Sequence, residues 1–492
     1  MASPTLSSRA ASGAAWNVGL GVVVRVAGLL GTLALTHFIA PAQYGAVSVA
    51  AVCVVTVTRL LNLGLSAFVI ANATAPALTF QAFLLQVTAS AAACGVTVVF
   101  REGIASAVGV PEAARYFPGL ALAGLVLQAS QVPSATLVRS LRFRIVATSK
   151  ALGELAFTAT SVGLAPLLGA TAIVAGNIAR STLVSGLLLV RSDAKEWFEP
   201  NRPQARTLGR FLTFGLPLTG VIVTDAAASQ WDNLLVGRLF GPAAVGQYAL
   251  AYNLAITPAS AIAEPISDVL FPSFARIAPD RRKDALLRAV ALLALVSFPV
   301  AFGLAAIAAR LIGAILDPQW APVGPMMALL TGVSLMRPMG WVVDAYFQAQ
   351  NRTHVILGLS VFRAVAVLGS IATLGAKGPA WACVAASLAF VTHGLLSVVT
   401  LAAVEGIPVA STVGTAGRPL LAAALMAAIV FLLDGLIPPT RGHLGLLLLV
   451  AEIALGGAAY ATLCSLLARD TAGDLVRLAR DVVSRGWAPE PS

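Results

Sequence analysis

The sequence predicts an all-α polytopic membrane protein, and three observations carry that reading. Of 492 residues, 58% are hydrophobic and 11% charged; the mean hydropathy is +0.88; and the apolar residues gather in long runs. A soluble domain carries roughly a quarter charged residues. Taking runs of roughly 20 apolar residues as spans, helices fall near 14–36, 45–70, 78–100, 118–137, 149–169, 171–190, 209–236, 243–264, 287–309, 324–349, 353–374, 378–401, 417–437 and 444–468. That makes about fourteen transmembrane helices.

The first run follows Arg9 directly and has the length of a full span, not of a short signal-peptide core, so it is expected to be retained. It carries Asn17, Gly21, Arg25, Gly28 and Thr32 at steps of three or four, which puts them on one helical face. The second run carries a similar polar stripe, Ser48, Arg59, Asn62 and Ser66. A basic side chain at the centre of a spanning helix costs roughly 3 kcal/mol on insertion scales, so it is expected to face a bundle interior or a wet cavity. Arg25 and Arg59, near the middle of successive runs, point to an intramembrane anion site. The competing reading pairs each arginine with a buried acid or with backbone carbonyls, the small residues serving close helix packing.

Further along, Asp225 and Asp232 lie seven apart on the seventh span, and Asn253, Thr257, Ser260 and Glu264 share a face of the eighth. These groups suit sugar hydroxyls or proton carriage, or the acids are buried opposite an arginine. The tenth span holds Arg337 and Asp344 at i and i+7, with Pro338 interrupting the hydrogen-bond ladder. That is either a hinge or a structural charge network with Arg363. Beyond the last span, Leu475, Leu478, Ala479 and Val482 alternate with Arg477, Arg480, Asp481 and Arg485, an amphipathic pattern suited to the inner membrane surface.

With both termini cytoplasmic, 21 lysines and arginines flank the spans on the inner side and 6 on the outer, while Arg25, Arg59, Arg180, Arg337 and Arg363 lie inside spans. The positive-inside rule therefore favours N-in, C-in. The formal net charge of +11 is largely this collar, which attracts anionic lipids and needs no nucleic-acid partner.

An internal repeat organises the chain. Phe38 to Gly45 and Leu239 to Gly246 are similar turns that align Pro41 with Pro242 and Gly45 with Gly246, an offset of 201. Arg142 to Gly176 resembles Asn351 to Ala385, with Gly169 matching Gly378 at an offset of 209. The expected organisation is a six-helix lobe over 1–200, a second over 201–405 related by a pseudo-two-fold axis along the membrane normal, two added helices over 406–470, and a cytoplasmic tail over 471–492. Parallel repeats of this kind are one of two common transporter plans.

Cys53, Cys94, Cys383 and Cys464 are scattered through spans, and His37, His354, His393 and His443 are equally dispersed, so neither a disulfide framework nor a metal site is expected. The longest loops, around 101–117, 191–208 and 265–286, are too small for catalytic domains. No Gly-rich phosphate loop with Lys-Ser/Thr, serine elbow or HExxH occurs. A transporter without a cofactor is expected, not an enzyme.

Seven motifs in combination, Ile39–Gly45, Leu60–Ser66, Leu141–Arg144, Phe214–Pro217, Asp232–Gly237, Val245–Tyr248 and Val269–Phe274, resemble those of polysaccharide flippases. These form the Wzx-like branch of the superfamily that includes multidrug exporters and the lipid II flippase, and the resemblance covers roughly residues 10 to 400. It implies two six-helix lobes around a central cavity and movement of an undecaprenyl-pyrophosphate-linked oligosaccharide from the cytoplasmic to the periplasmic leaflet of a bacterial inner membrane. It also implies polysaccharide polymerase and export proteins as possible partners. Arg25 and Arg59 would then grip the pyrophosphate through guanidinium forks. Asn17, Asn62, Asp232, Asn253, Ser260 and Glu264 would complete the substrate site, with Asp225, Arg337 and Asp344 as candidates for coupling or hinge roles. A multidrug exporter of the same fold is the alternative; a membrane glycan polymerase or ligase is disfavoured by the short loops.

Overall fold

The structure, a computed structural model, describes residues 21, 24–72, 75–202, 204–436, 443–469, 473 and 477. Asn17 and nearly all of the tail lie outside the described residues. The described residues contain helices, turns and loops but no strand, as backbone groups in hydrocarbon require: a helix satisfies its own. Among the described residues, ten helices are long and apolar enough to cross a membrane, or up to twelve if each bent pair is one span. The protein is thus a multi-pass membrane protein, with some expected spans broken or bent.

The helices of the first part are α1 (Val24–Leu35), α2 (Pro41–Leu60), α3 (Leu65–Ala71), α4 (Pro76–Val99), α5 (Arg101–Ala107), α6 (Phe117–Gln128), α7 (Gln131–Arg139), α8 (Phe143–Leu168) and α9 (Thr171–Arg191). Next come α10 (Ala205–Arg276), α11 (Arg282–Ile315), α12 (Val323–Leu329), α13 (Thr331–Ala349), α14 (Thr353–Thr373), α15 (Pro379–Glu405), α16 (Val409–Leu436) and α17 (His443–Leu467). Gly241, at φ 78° and ψ −174°, interrupts α10. Residues 232 and 248 would stand about 24 Å apart on an unbroken helix, yet the Tyr248 hydroxyl donates to Asp232 Oδ2 at 2.9 Å. The chain therefore doubles back at Gly241, and α10 is a hairpin of two limbs.

Contacts divide the chain into two compact units: residues up to Leu250 with Val367–Ala382, and Ala251–Ala366 with Cys383 onward. The first unit takes in the first limb of α10, which a division at 200/201 would give to the second repeat. Close backbone packing is the reason. A Cβ on Gly45 would collide with the Pro242 carbonyl oxygen, and one on Gly246 with that of Pro41. The two turns aligned by sequence thus meet reciprocally, as the matching patches of an isologous contact do.

The second pair of similar segments also repeats in backbone geometry. Leu141 (φ 60°) and Asn351 (φ 59°) are both left-handed. Each is followed by an amide bonded five residues back, Arg142 to the Leu137 carbonyl at 2.8 Å and Arg352 to that of Phe347 at 3.0 Å. This is the same Schellman-type helix end, in register at an offset of 210 here. In the second unit, α13 runs unbroken through Pro338; the 49° bend lies at Leu330, between Pro318–Leu329 and Thr331–Ala349.

Candidate functional site

Arg59 occupies the last turn of α2, not the middle of a continuous helix. The helix stops because the next residues turn left-handed, Leu63 at φ 46° and Gly64 at φ 61°, and α3 restarts at Leu65. The break is locked from outside. A Cβ on Gly215, in the first limb of α10, would collide with the Leu63 carbonyl oxygen, and one on Gly64 would sit 3.0 Å from Gly215 Cα. Phe68 of α3 packs edge-on against Phe211 and Phe214, centroids 5.0 and 5.3 Å away, within a buried cluster that includes Leu65, Ala82 and Val132. Carbonyls freed at a helix end need donors. Gln128 of α6 donates to the Thr58 carbonyl at 2.9 Å and accepts from Gln86 of α4 at 3.1 Å.

Arg59 and Asn62 line a cavity of about 520 Å³ inside the first unit, within the range of small-molecule sites. Its walls come from α2, the segment after it, α6, α7, α8 and α9, and its polar lining includes Gln128, Gln131, Ser134, Lys150, Glu154, Asn177 and Arg180. Two devices hold α8 and α9 together. Gly176 lets α9 approach so closely that a Cβ there would collide with Ser161 and lie 2.9 Å from the Phe157 carbonyl oxygen. Arg180 Nη1 donates to Glu154 Oε1 at 3.1 Å, and its Nη2 to Asn177 Oδ1 at 2.7 Å. Ser185 of α9 donates to the Val126 carbonyl of α6 at 2.7 Å.

The charge distribution is uneven. Arg180 is paired with Glu154. Arg59 and Lys150 have no ion-pair or hydrogen-bond partner among the described residues. The cavity therefore carries two uncompensated cations, a cationic lining suited to an anionic group.

Other expected site residues are placed elsewhere. Arg25 is half-buried on α1 and does not line this cavity. Asp232 is 1% exposed; its carboxylate accepts from Tyr248, from the Asn233 backbone amide at 2.9 Å and from the Asn233 side-chain amide at 3.2 Å. In this arrangement it ties the two limbs of α10 together. Asp225 is exposed on the same limb. In the second unit, Asn253 is exposed, Ser260 buried, and Glu264 and Asp344 half-buried. Arg337 donates to the Tyr252 hydroxyl at 3.1 Å and stands 5.9 Å over the Trp341 ring.

Lys150, Glu154, Asn177 and Arg180 were not singled out by sequence as site residues. The signal was spacing: Lys150 and Glu154 at i and i+4, Asn177 and Arg180 at i and i+3, each pair on one face of an apolar helix. Arg310, expected just outside the ninth span, instead lies within α11, where its Nε is 2.8 Å from Glu452 Oε1 of α17 and its Nη2 donates to the Asp434 carbonyl of α16 at 3.1 Å. Those contacts fasten the two added helices to α11.

Fold and site together define a membrane transport protein with a cationic chamber inside a helix bundle. The chain belongs to the polysaccharide biosynthesis protein family, whose match covers residues 34–325. It is 27% identical to the succinoglycan biosynthesis transport protein ExoT of Rhizobium meliloti (strain 1021), over 91% of this chain and 90% of that one. To the lipopolysaccharide biosynthesis protein WzxC of Escherichia coli (strain K12) it is 24% identical, over 73% of this chain and 74% of that one. Among solved structures, the lipid II flippase MurJ in an inward closed conformation superposes with a TM-score of 0.76 at 13% identity, covering 94% of this chain and 99% of that one. An inward-facing MATE-family multidrug resistance transporter does so with a TM-score of 0.60 at 15% identity, covering 78% and 99%. At these identities the structures establish a shared fold.

Proposed function

We propose that the protein is a flippase moving an undecaprenyl-pyrophosphate-linked oligosaccharide from the cytoplasmic to the periplasmic leaflet of a bacterial inner membrane, for cell-surface polysaccharide synthesis. The observation that carries this reading is Arg59: a guanidinium without a protein partner among the described residues, held at a broken helix end against a partly polar cavity inside a membrane-spanning bundle. A charge is kept in such a place when something else neutralises it, and a pyrophosphate supplies oxygens that a guanidinium fork grips bidentately. The named relatives in lipopolysaccharide and succinoglycan biosynthesis support the glycan part of the proposal. Arg25, on the polar face of α1, is proposed to assist, and the proposed orientation is N-in, C-in, which the basic collar favours. Transport proceeds by alternating access, with no chemical step and no cofactor, and delivers units to a polymerase on the far side.

Depletion tests the proposal. Lipid-linked repeat units should persist but collect on the cytoplasmic leaflet, because their synthesis precedes translocation. A drug exporter would change toxin sensitivity and leave glycan intermediates normal, whereas a polymerase or ligase would leave units on the periplasmic face. Periplasmic accumulation at a normal flipping rate rules the flippase out.

A further inference from the structure

Pro299 sits inside α11 and has no N–H to give, so the Leu295 carbonyl one turn earlier loses its helical donor. The Tyr460 hydroxyl of α17 donates to that carbonyl instead, at 2.7 Å. At a second level, Glu452 of the same helix meets Arg310 of α11 at 2.8 Å. The two latches are eight residues apart on α17 (460 − 452), about 12 Å at the helical rise. Between them lies a cavity of about 300 Å³, inside the second unit, with Pro258 of the second limb of α10 and Met426 and Val430 of α16 completing its wall. Glycine keeps it open. Gly456 lets α16 come so near that an added Cβ would lie 3.2 Å from Val430 Cγ2, whereas a Cβ on Gly457 would meet nothing within 4 Å. Ile453 and Gly457 line the cavity and are exposed, so a molecule in the bilayer reaches it past α17. Among the described residues that line it, Glu452 alone carries charge. It is 4% exposed, and its Oε2 is buried without a hydrogen-bond partner among the described residues. Arg310 serves both Asp434 and Glu452, and one cation against two carboxylates leaves one negative charge in excess. A charge within a span calls for a partner.

We propose that this cavity is a binding site for a small lipophilic amine, whose protonated amino group donates to Glu452 and whose apolar body lies along α17 toward Tyr460. The amine supplies the cation that the cluster lacks, through a charge-assisted hydrogen bond. The rest of the lining, Gly303, Leu304 and Ile307 of α11 with Met426 and Val430 of α16, offers apolar contact and no competing charge. Size and charge both disfavour a bilayer phospholipid as the occupant. About 300 Å³ is at the low end of small-molecule sites, too little for two acyl chains, and a phosphate would bring negative charge to a cluster that already has it in excess. The site does not depend on what the protein moves across the membrane.

The test titrates two probes against the full chain in phosphatidylcholine nanodiscs, with empty discs as the blank: decylamine, protonated at neutral pH, and decanol, which has the same chain and no charge. Decylammonium should bind at least about tenfold tighter than decanol, the effect of one charge-assisted contact. Equal affinity overturns the proposal. Glu452→Gln keeps the length of the side chain and leaves Arg310 its contact with Asp434; it should weaken decylammonium binding about tenfold and leave decanol within about threefold of wild type. An equal loss of both probes assigns Glu452 to structure and overturns its role as a ligand contact. Because that variant also alters the Arg310 cluster, Gly457→Leu gives an independent reading. Its side chain fills open space without touching a charge, so both probes should bind about tenfold more weakly at an unchanged melting temperature. Decylammonium binding as in the wild type, in either variant, overturns the site. Phosphatidylethanolamine added to the discs should leave the bound amine in place; displacement would assign the cavity to a bilayer lipid and overturn the proposal.

Discussion

Of the charges within the described spans, one group in each unit invites comparison, and the two are built on opposite principles. In the second unit, Arg310 is 8% exposed and Glu452 4%; the guanidinium meets Asp434 Oδ1 at 2.5 Å and Glu452 Oε1 at 2.8 Å, so its charge is consumed by protein. In the first unit, Arg59 and Lys150 face a cavity of about 520 Å³ with no partner among the described residues. The closed cluster joins α16 and α17 to α11 and pairs its cation with protein carboxylates. The open one contributes no bond to the fold and leaves two cations for a ligand. Removing a charge should therefore cost stability in one case and transport in the other.

The largest expected effect belongs to the closed cluster. Arg310→Ala leaves the buried Glu452 and the half-buried Asp434 without their cation, and breaking a buried pair from one side costs about 3–5 kcal/mol. The variant should accumulate poorly and unfold at a clearly lower temperature in detergent. If it accumulates and melts like the wild type, the cluster is not structural and the contrast between the units collapses.

Next in size is Arg59→Ala. Hydrogen bonds to charged groups are worth about 1.5–3 kcal/mol, so glycan export at matched protein levels should fall about ten- to a hundredfold. The Arg59 side chain donates to no group among the described residues, so thermal stability should move by about 0.5 kcal/mol or less, as for surface changes away from special features. Arg59→Lys should restore part of the export, recovering charge without the fork. A variant that melts early but exports normally would show that Arg59 belongs with Arg310.

How far the sequence reached follows from these same residues. Class and helical content were legible because hydropathy is a local property of the chain, and Arg59 could be singled out there only as an in-span charge. The break after Arg59 was not: Leu60–Ser66 is apolar throughout except for Asn62 and Ser66, so a hydropathy window runs straight across it. What stops α2 is the fit of Gly64 against Gly215, residues 151 positions apart (215 − 64). The Pro41/Pro242 and Gly45/Gly246 correspondence was legible because close backbone contact admits only glycine there. Arg180 and Glu154 could be read as in-span charges, but not as partners of each other. Arg310 was misplaced because a few residues of helix end separate a boundary position from a buried one, and only Glu452, 142 positions later (452 − 310), decides which it is.

A smaller effect probes the frame around Arg59 without touching its charge. In Gly215→Ala the added methyl falls on the Leu63 carbonyl oxygen, and because backbone rather than a flexible side chain is in the way, α10 or the break must shift. Overpacking of this kind costs about 1–3 kcal/mol. Part of that should appear as lower stability, and the rest as weaker export through a re-aimed Arg59. Gly220→Ala, on the same limb with open space around its Cβ, is the control and should do neither. Equal behaviour of the two would mean that the break is not set by this contact.

The smallest effect separates charge from hydrogen bonding within the open cluster. Asn62 lines the same chamber as Arg59, and its backbone amide already bonds the Arg59 carbonyl at 3.2 Å. Asn62→Ala therefore removes a side chain without disturbing the turn. An uncharged side chain contributes about 0.5–1.5 kcal/mol through a hydrogen bond, so export should drop between about twofold and tenfold, less than for Arg59→Ala, with the melting temperature unchanged. The double variant Arg59→Ala/Asn62→Ala sharpens the comparison. If both side chains grip one group, its loss should be smaller than the product of the single losses, since contacts in one network do not add. A fully multiplicative loss would assign Asn62 to a different part of the ligand from the group that Arg59 holds.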